Sequence, residues 1–155
     1  MAWTLLLAAG QGNRLASATG GLAKQFLDWK GAPLYWESAL VFSRCARVEG
    51  LVFVFPEACI DEERERVAGL MRNASLGIPW KVVAGGALRQ DSVRNGLSAL
   101  PDDCMEVLIH DAARPFVSPV LVNRILDGLH GEASGECVAA CIPGIPVVDT
   151  IKVMD

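Results

Sequence analysis

Two glycines and two cations near the N-terminus carry the first chemical signal. Gly10, Gly12 and Arg14 follow directly on the apolar run Leu5–Ala9, and Lys24 comes ten residues after Arg14. Glycines let a backbone approach a ligand closely and turn its N–H groups inward, which suits phosphate oxygens. Arg14 and Lys24 add full positive charge to the same cradle, so the stretch reads as a triphosphate grip. It is neither of two better-known phosphate loops. A dinucleotide fingerprint needs a third glycine where Leu15 stands. A Walker A loop needs Gly-Lys-Ser/Thr, whereas Lys24 lies between Ala23 and Gln25. Taken alone, the stretch is also compatible with an ordinary strand-to-loop turn bearing two surface cations.

Three further clusters could do chemistry. His110-Asp111-Ala112-Ala113-Arg114-Pro115 follows the apolar Val-Leu-Ile of 107–109. A carboxylate at a strand end, facing a triphosphate, is a natural Mg²⁺ ligand, since that ion takes one or two carboxylates plus phosphate oxygens. The alternative is that Asp111 caps a turn and pairs with Arg114, which itself braces the loop. Gly85-Gly86-Ala87, followed by Arg89, Gln90, Asp91 and Ser92, offers backbone groups and a hydroxyl able to read the edge of a base. Helix capping by Asp91 or Ser92 is the plainer role, and both can hold. Asp149-Thr150-Ile151-Lys152 offers a hydroxyl and a cation to a second substrate, or is an edge strand with solvent-facing polar groups. His130 reads as a surface residue, the region Glu62–Arg66 as a charged helix face, and the four tryptophans as core or interface.

The elements that must position these clusters alternate in type. Expected strands are Thr4–Ala8, Leu51–Phe55, Trp80–Ala84, Val107–His110 and Cys137–Ile142. Expected helices are Leu34–Cys45 with Pro33 at its start, Asp61–Asn73 with three acidic residues in its first turn, Gln90–Leu100, and one from Pro119 to about Leu129 capped by Ser118. Apolar strands alternating with amphipathic segments predict an α/β fold, a mostly parallel sheet covered by helices. In such sheets ligands sit beyond the carboxyl ends of the strands, where all four polar clusters fall. Their convergence argues for an enzyme site more strongly than any one of them.

Composition sets the outer bounds. A chain of 155 residues, 52% apolar and 21% charged, suits a single well-packed domain. A net charge of −4 without a basic cluster argues against nucleic-acid partners. The five scattered cysteines form no CxxC pair and fit buried free thiols in a reducing cytosol. No apolar run is long enough to span a membrane and no basic leader precedes the first strand. The expectation is a cytoplasmic, soluble protein.

With the clusters placed, the chain resembles the 2-C-methyl-D-erythritol 4-phosphate cytidylyltransferases. The matching segments are Leu-Ala-Ala-Gly-Gln-Gly-Asn-Arg (7–14), Lys-Gln (24–25), Gly-Gly-Ala-Leu-Arg-Gln-Asp-Ser-Val (85–93), His-Asp-Ala-Ala-Arg-Pro (110–115) and Asp-Thr-Ile-Lys (149–152). The resemblance implies a Rossmann-like nucleotidyltransferase fold with helices on both faces of the sheet. It implies cytidylyl transfer from CTP to methylerythritol phosphate, with release of pyrophosphate, in non-mevalonate isoprenoid synthesis. By position, Arg14 and Lys24 match the catalytic cations. Ala8, Ala9, Gly10, Gly12, Gly85, Gly86, Ala87 and Ser92 match the nucleotide-binding stretches. Asp111 matches the carboxylate near the Mg²⁺ and acceptor phosphate, and Thr150 matches an acceptor-binding residue. Partners would be CTP, a polyol phosphate and a second subunit, without nucleic acid or membrane.

Three departures stand out. Ala23 replaces the proline usual before the lysine, the stretch from Arg14 to Lys24 looks longer than usual, and the chain stops at Asp155 where family members continue. The expectation is one nucleotidyltransferase domain over 1–155 lacking its C-terminal part, with 143–155 beginning a dimerisation arm. Ribitol-5-phosphate cytidylyltransferase is the rival within this chemistry, and a nucleotide-binding module without turnover the rival outside it.

Overall fold

Six consecutive buried side chains, Ala2–Leu7, form β1, the central strand of a parallel sheet. The computed structural model describes residues 1–10, 22–132 and 135–145. Within them the strands are β1, β2 (Asp28–Trp29), β3 (Ala32–Pro33), β4 (Val48–Phe55), β5 (Trp80–Ala84) and β6 (Glu106–Asp111). The helices are α1 (Tyr35–Ser43), α2 (Ile60–Asn73), α3 (Arg89–Leu97) and α4 (Pro119–His130). By their internal contacts the residues fall into two units, Met1–Pro119 and Val120–Asp155.

The first unit holds the sheet, in the order β5-β4-β1-β6 with every neighbouring pair parallel. Because successive side chains alternate between faces, β1 and β4 each serve two cores. Trp3, Leu5 and Leu7 share one face with Val52 and Val54, and Val93 of α3 packs there with Val83, Ala99 and Leu100. Gly96 lets α3 lie this close, for a Cβ there would meet Leu5 Cδ2 at 2.6 Å. On the other face Phe53 and Phe55 pack with Phe26 and with Tyr35 of α1, ring centroids lying 5.0–6.2 Å apart. Helices thus cover both faces of an α/β sheet, as expected.

Glu63 departs from the expected solvated face of α2. Its side chain is 4% exposed and accepts a hydrogen bond from the Tyr35 hydroxyl at 2.7 Å. Arg66 bridges it to Glu62, with both contacts at 2.9 Å. The remaining pair on this helix, Arg64 with Asp61, is exposed.

Several expectations need correcting. Cys137–Ile142 forms no strand. Val138 donates its N–H to the Leu129 carbonyl (3.1 Å) near the end of α4, so the backbone folds back over the helix terminus, and residues 138–140 are exposed. Pro33 ends β3 in a small antiparallel hairpin, and α1 starts two residues later. Trp29, in that hairpin, is 44% exposed with Lys30 over its ring, unlike the buried Trp3 and Trp36. All five thiols are free, yet only Cys45 is buried and Cys137 is exposed. Among the described residues no helix is long and apolar enough to cross a membrane.

Candidate functional site

Parallel pairing brings the carboxyl ends of all four strands to one rim of the sheet. Three backbone hydrogen bonds continue the ladders past the last strand residues. Ala8 N–H donates to Val54, Gly85 N–H to Phe55 and Ala112 N–H to Leu7, at 2.8, 2.7 and 3.0 Å. The loops after β1, β5 and β6 therefore leave the sheet side by side.

The loop after β1 passes from buried Ala8 through half-buried Ala9 to exposed Gly10. It is fastened to a short 3₁₀ turn, Lys24–Phe26. Gln25, 3% exposed, donates its side-chain amide to the carbonyls of both Ala8 and Gly10, each at 2.7 Å. Lys24 is half-buried beside it, and Phe26 packs on Tyr35 and Phe55.

The loop after β5 touches the first one. A Cβ on Gly85 would run into the Ala9 methyl group and the Ser92 hydroxyl, so only glycine allows the two loops this approach. Ser92 is buried; its Oγ accepts the Gly86 N–H (3.1 Å) and donates to the Leu88 carbonyl (3.3 Å). Asp91 Oδ2 accepts the Leu88 N–H at 3.1 Å, capping the start of α3. Of the two expected caps Asp91 serves as one, whereas Ser92 braces the turn before the helix. They leave Gly86, Ala87 and Leu88 exposed along a braced turn.

The loop after β6 is held by charge and by a histidine. Asp111 Oδ1 accepts from Arg89 Nη2 and Nε at 2.9 and 3.2 Å, which joins this loop to the one after β5. Arg114 Nε lies 3.5 Å from Asp111 Oδ2, the bracing pair expected for it. His110 Nε2 lies 3.0 Å from the Arg114 carbonyl and 3.0 Å from Ser38 Oγ. A carbonyl only accepts, so the Nε2 atom carries the proton in that bond. Burial lowers the proton affinity of His110, outweighing the Arg114 carbonyl and Asp111, which raise it.

Of the expected site residues, Ala8, Ala9, Gly10, Gly85, Gly86 and Ala87 lie on these loops, Lys24 on the 3₁₀ turn, Ser92 in α3 and Asp111 at the end of β6, all in the first unit. Gly12, Arg14, Thr150 and positions 146–155 of the expected arm lie outside the described residues. Gln25 and Arg89 join the loops and had no role assigned from sequence. The signals available for Gln25 were its place in the matching Lys-Gln segment (24–25) and a polar amide set between a cation and an aromatic residue.

Among the described residues no group of three or more His, Cys, Asp or Glu side chains could hold a metal. A lone carboxylate still suits Mg²⁺ at a phosphate site, because substrate oxygens and water complete that ion's shell. Asp111, with its side chain 37% exposed, is such a carboxylate, and Mg²⁺ there would compete with Arg89 and Arg114 for its two oxygens.

Known proteins resemble this chain over most of its length. The family model for 2-C-methyl-D-erythritol 4-phosphate cytidylyltransferase matches residues 2–155. A bifunctional enzyme IspD/IspF of Oleidesulfovibrio alaskensis is 52% identical over 153 residues, covering 99% of this chain and 37% of that protein. A 2-C-methyl-D-erythritol 4-phosphate cytidylyltransferase of Clostridium botulinum is 32% identical over 151 residues, covering 97% of this chain and 60% of its own. The chain thus spans little more than a third of the bifunctional relatives. Among solved structures, the 4-diphosphocytidyl-2C-methyl-D-erythritol synthase of Anaerococcus prevotii superposes with a TM-score of 0.66 at 21% identity, over 84% of this chain and 51% of that one. At that identity the likeness carries the fold alone.

Proposed function

From the premise that the chain belongs to the 2-C-methyl-D-erythritol 4-phosphate cytidylyltransferase family, we propose that the intact protein transfers a cytidylyl group from CTP to 2-C-methyl-D-erythritol 4-phosphate. The products are CDP-methylerythritol and pyrophosphate, in the non-mevalonate route to isoprenoid precursors. The observation that carries the reading is the contact of Gly85 with Ala9. It sets the turn proposed to read the base beside the loop proposed to take the phosphates, which supports one shared site.

In this reading an oxygen of the acceptor's phosphate attacks the α-phosphorus of CTP in line. The bond from that phosphorus to the bridging oxygen breaks, and pyrophosphate leaves with the electron pair. No covalent enzyme intermediate forms, so the protein contributes positioning and charge stabilisation. Lys24 and Arg14 offset charge on the triphosphate, the amides around Gly10 and Gly12 contact its oxygens, and Gly85, Gly86, Ala87 and Ser92 hold the cytidine. Thr150 meets the acceptor. Asp111 would hold Mg²⁺, which when bound neutralises phosphate charge. The reading includes a cytoplasmic homodimer whose arm begins within 143–155.

The test is pyrophosphate release by the intact protein with CTP and each acceptor in turn. Release with methylerythritol phosphate and not with ribitol 5-phosphate is expected. Chelation of divalent ions should abolish it and added Mg²⁺ restore it. CTP binding without release, with either acceptor, would contradict the reading.

A further inference from the structure

We infer that Gln25 is a positioning residue that sets Lys24 and the loop after β1 at a fixed spacing, so that both meet one triphosphate. The inference rests on the reading of that loop as a phosphate site. A primary amide has two N–H donors, and Gln25 directs both to carbonyls two residues apart, Ala8 and Gly10, at 2.7 Å each. Those bonds draw the carbonyls of the loop inward, away from the exposed side of Gly10. An anion approaching from that side is spared two carbonyl dipoles that would otherwise repel it.

The geometry also ties Lys24 to the loop through a rigid path. Phe26 N–H donates to Ala23 and Leu27 N–H to Lys24, at 2.9 and 3.2 Å, closing the turn on both sides of Gln25. Phe26 is anchored in the aromatic cluster, 6.0 Å from Phe55 between centroids. Ala8 is anchored to β4 through Val54. Two elements each fixed to the sheet are therefore joined by one buried side chain. A buried amide in such a place gives a geometry that an apolar residue of equal size would leave loose.

The test uses the intact protein with Gln25→Met, close in size but without donors, and Gln25→Glu, which sets acceptors against the two carbonyls. Misplacement near an ångström at a reacting centre lowers rate by roughly 10²-fold, so kcat/KM for CTP should fall roughly 10- to 100-fold in Gln25→Met and further in Gln25→Glu. Acting through Lys24 predicts non-additivity, in that Gln25→Met should change kcat/KM by less than about 3-fold in a Lys24→Ala background. A purely structural role would give the same factor in both backgrounds and overturns the inference, as does near-normal kcat/KM in Gln25→Met. Calorimetry with inorganic tripolyphosphate should show the same pattern of weakening, independent of base or acceptor. A protein that releases no pyrophosphate yet shows this pattern leaves the inference standing and removes the cytidylyltransferase reading. Absence of tripolyphosphate binding in the wild type overturns the inference.

Discussion

Thr4 shows how little slack the centre of the sheet contains. It is fully buried in β1 between Leu51 and Leu108, and its hydroxyl has no hydrogen-bond partner among the described residues. A buried unsatisfied hydroxyl costs about 1–3 kcal/mol, and valine has the same shape without it. Thr4→Val should therefore stabilise the fold by about 1 kcal/mol in urea denaturation; a loss of stability contradicts the account. Glu63 gives a second prediction. Burial raises its carboxyl above the usual carboxylate range, more than the Tyr35 hydrogen bond and Arg66 lower it, with Glu62 also raising it. Cys59 is the other titratable neighbour, its thiol pushed up by burial and by Glu63. The folded state thus holds the Glu63 proton more tightly than the unfolded chain does. Its stabilising contribution is present below about pH 4 and is lost as pH rises through the raised folded value. Relative to Glu63→Gln, which keeps an acceptor for Tyr35, the wild type should lose stability across that rise. A difference that is flat with pH, or of opposite slope, would refute it. From sequence, Glu63 was indistinguishable from its solvated neighbours, because a carboxylate's burial depends on Tyr35, 28 positions away.

At the scale of elements, β4 was legible because a strand covered on both faces needs a continuous apolar run, and β5, an edge strand with exposed Lys81, because its β-favouring residues stop at Gly85 as those of β4 stop at Pro56. The 137–142 run has the same composition and no strand. Composition does not say whether a neighbouring ladder is available, and here the Leu129 carbonyl takes the Val138 N–H. The β2–β3 hairpin went unread because its turn is Lys30-Gly31, both at positive φ (57° and 81°), where asparagine in place of the lysine would have been the usual signal. Helix α3 was found, but its closeness to the sheet was not. Gly96→Ala should overpack against Leu5 and Val54, destabilising the protein by about 1–3 kcal/mol. Thermal unfolding checks this, and an unchanged midpoint would show that α3 can retreat freely.

For the whole molecule, the three parallel ladders turn scattered motifs into one rim, which explains why motifs far apart in sequence were readable together. Lys24, Gly85–Ala87 and Asp111 were legible as residue types at strand ends. The joints between their loops, Gln25 to Gly10 and Arg89 to Asp111, depend on side-chain direction and emerged only with the fold. The central claim is that the loops after β1, β5 and β6 form one nucleotide site. Amide hydrogen exchange of the intact protein, with and without a non-hydrolysable CTP analogue and Mg²⁺, tests it most directly. Protection rising together at 8–10, 85–88 and 111–115, and saturating at one analogue concentration, is the expected result. Protection confined to one of these loops, or arising elsewhere in the chain, would contradict it.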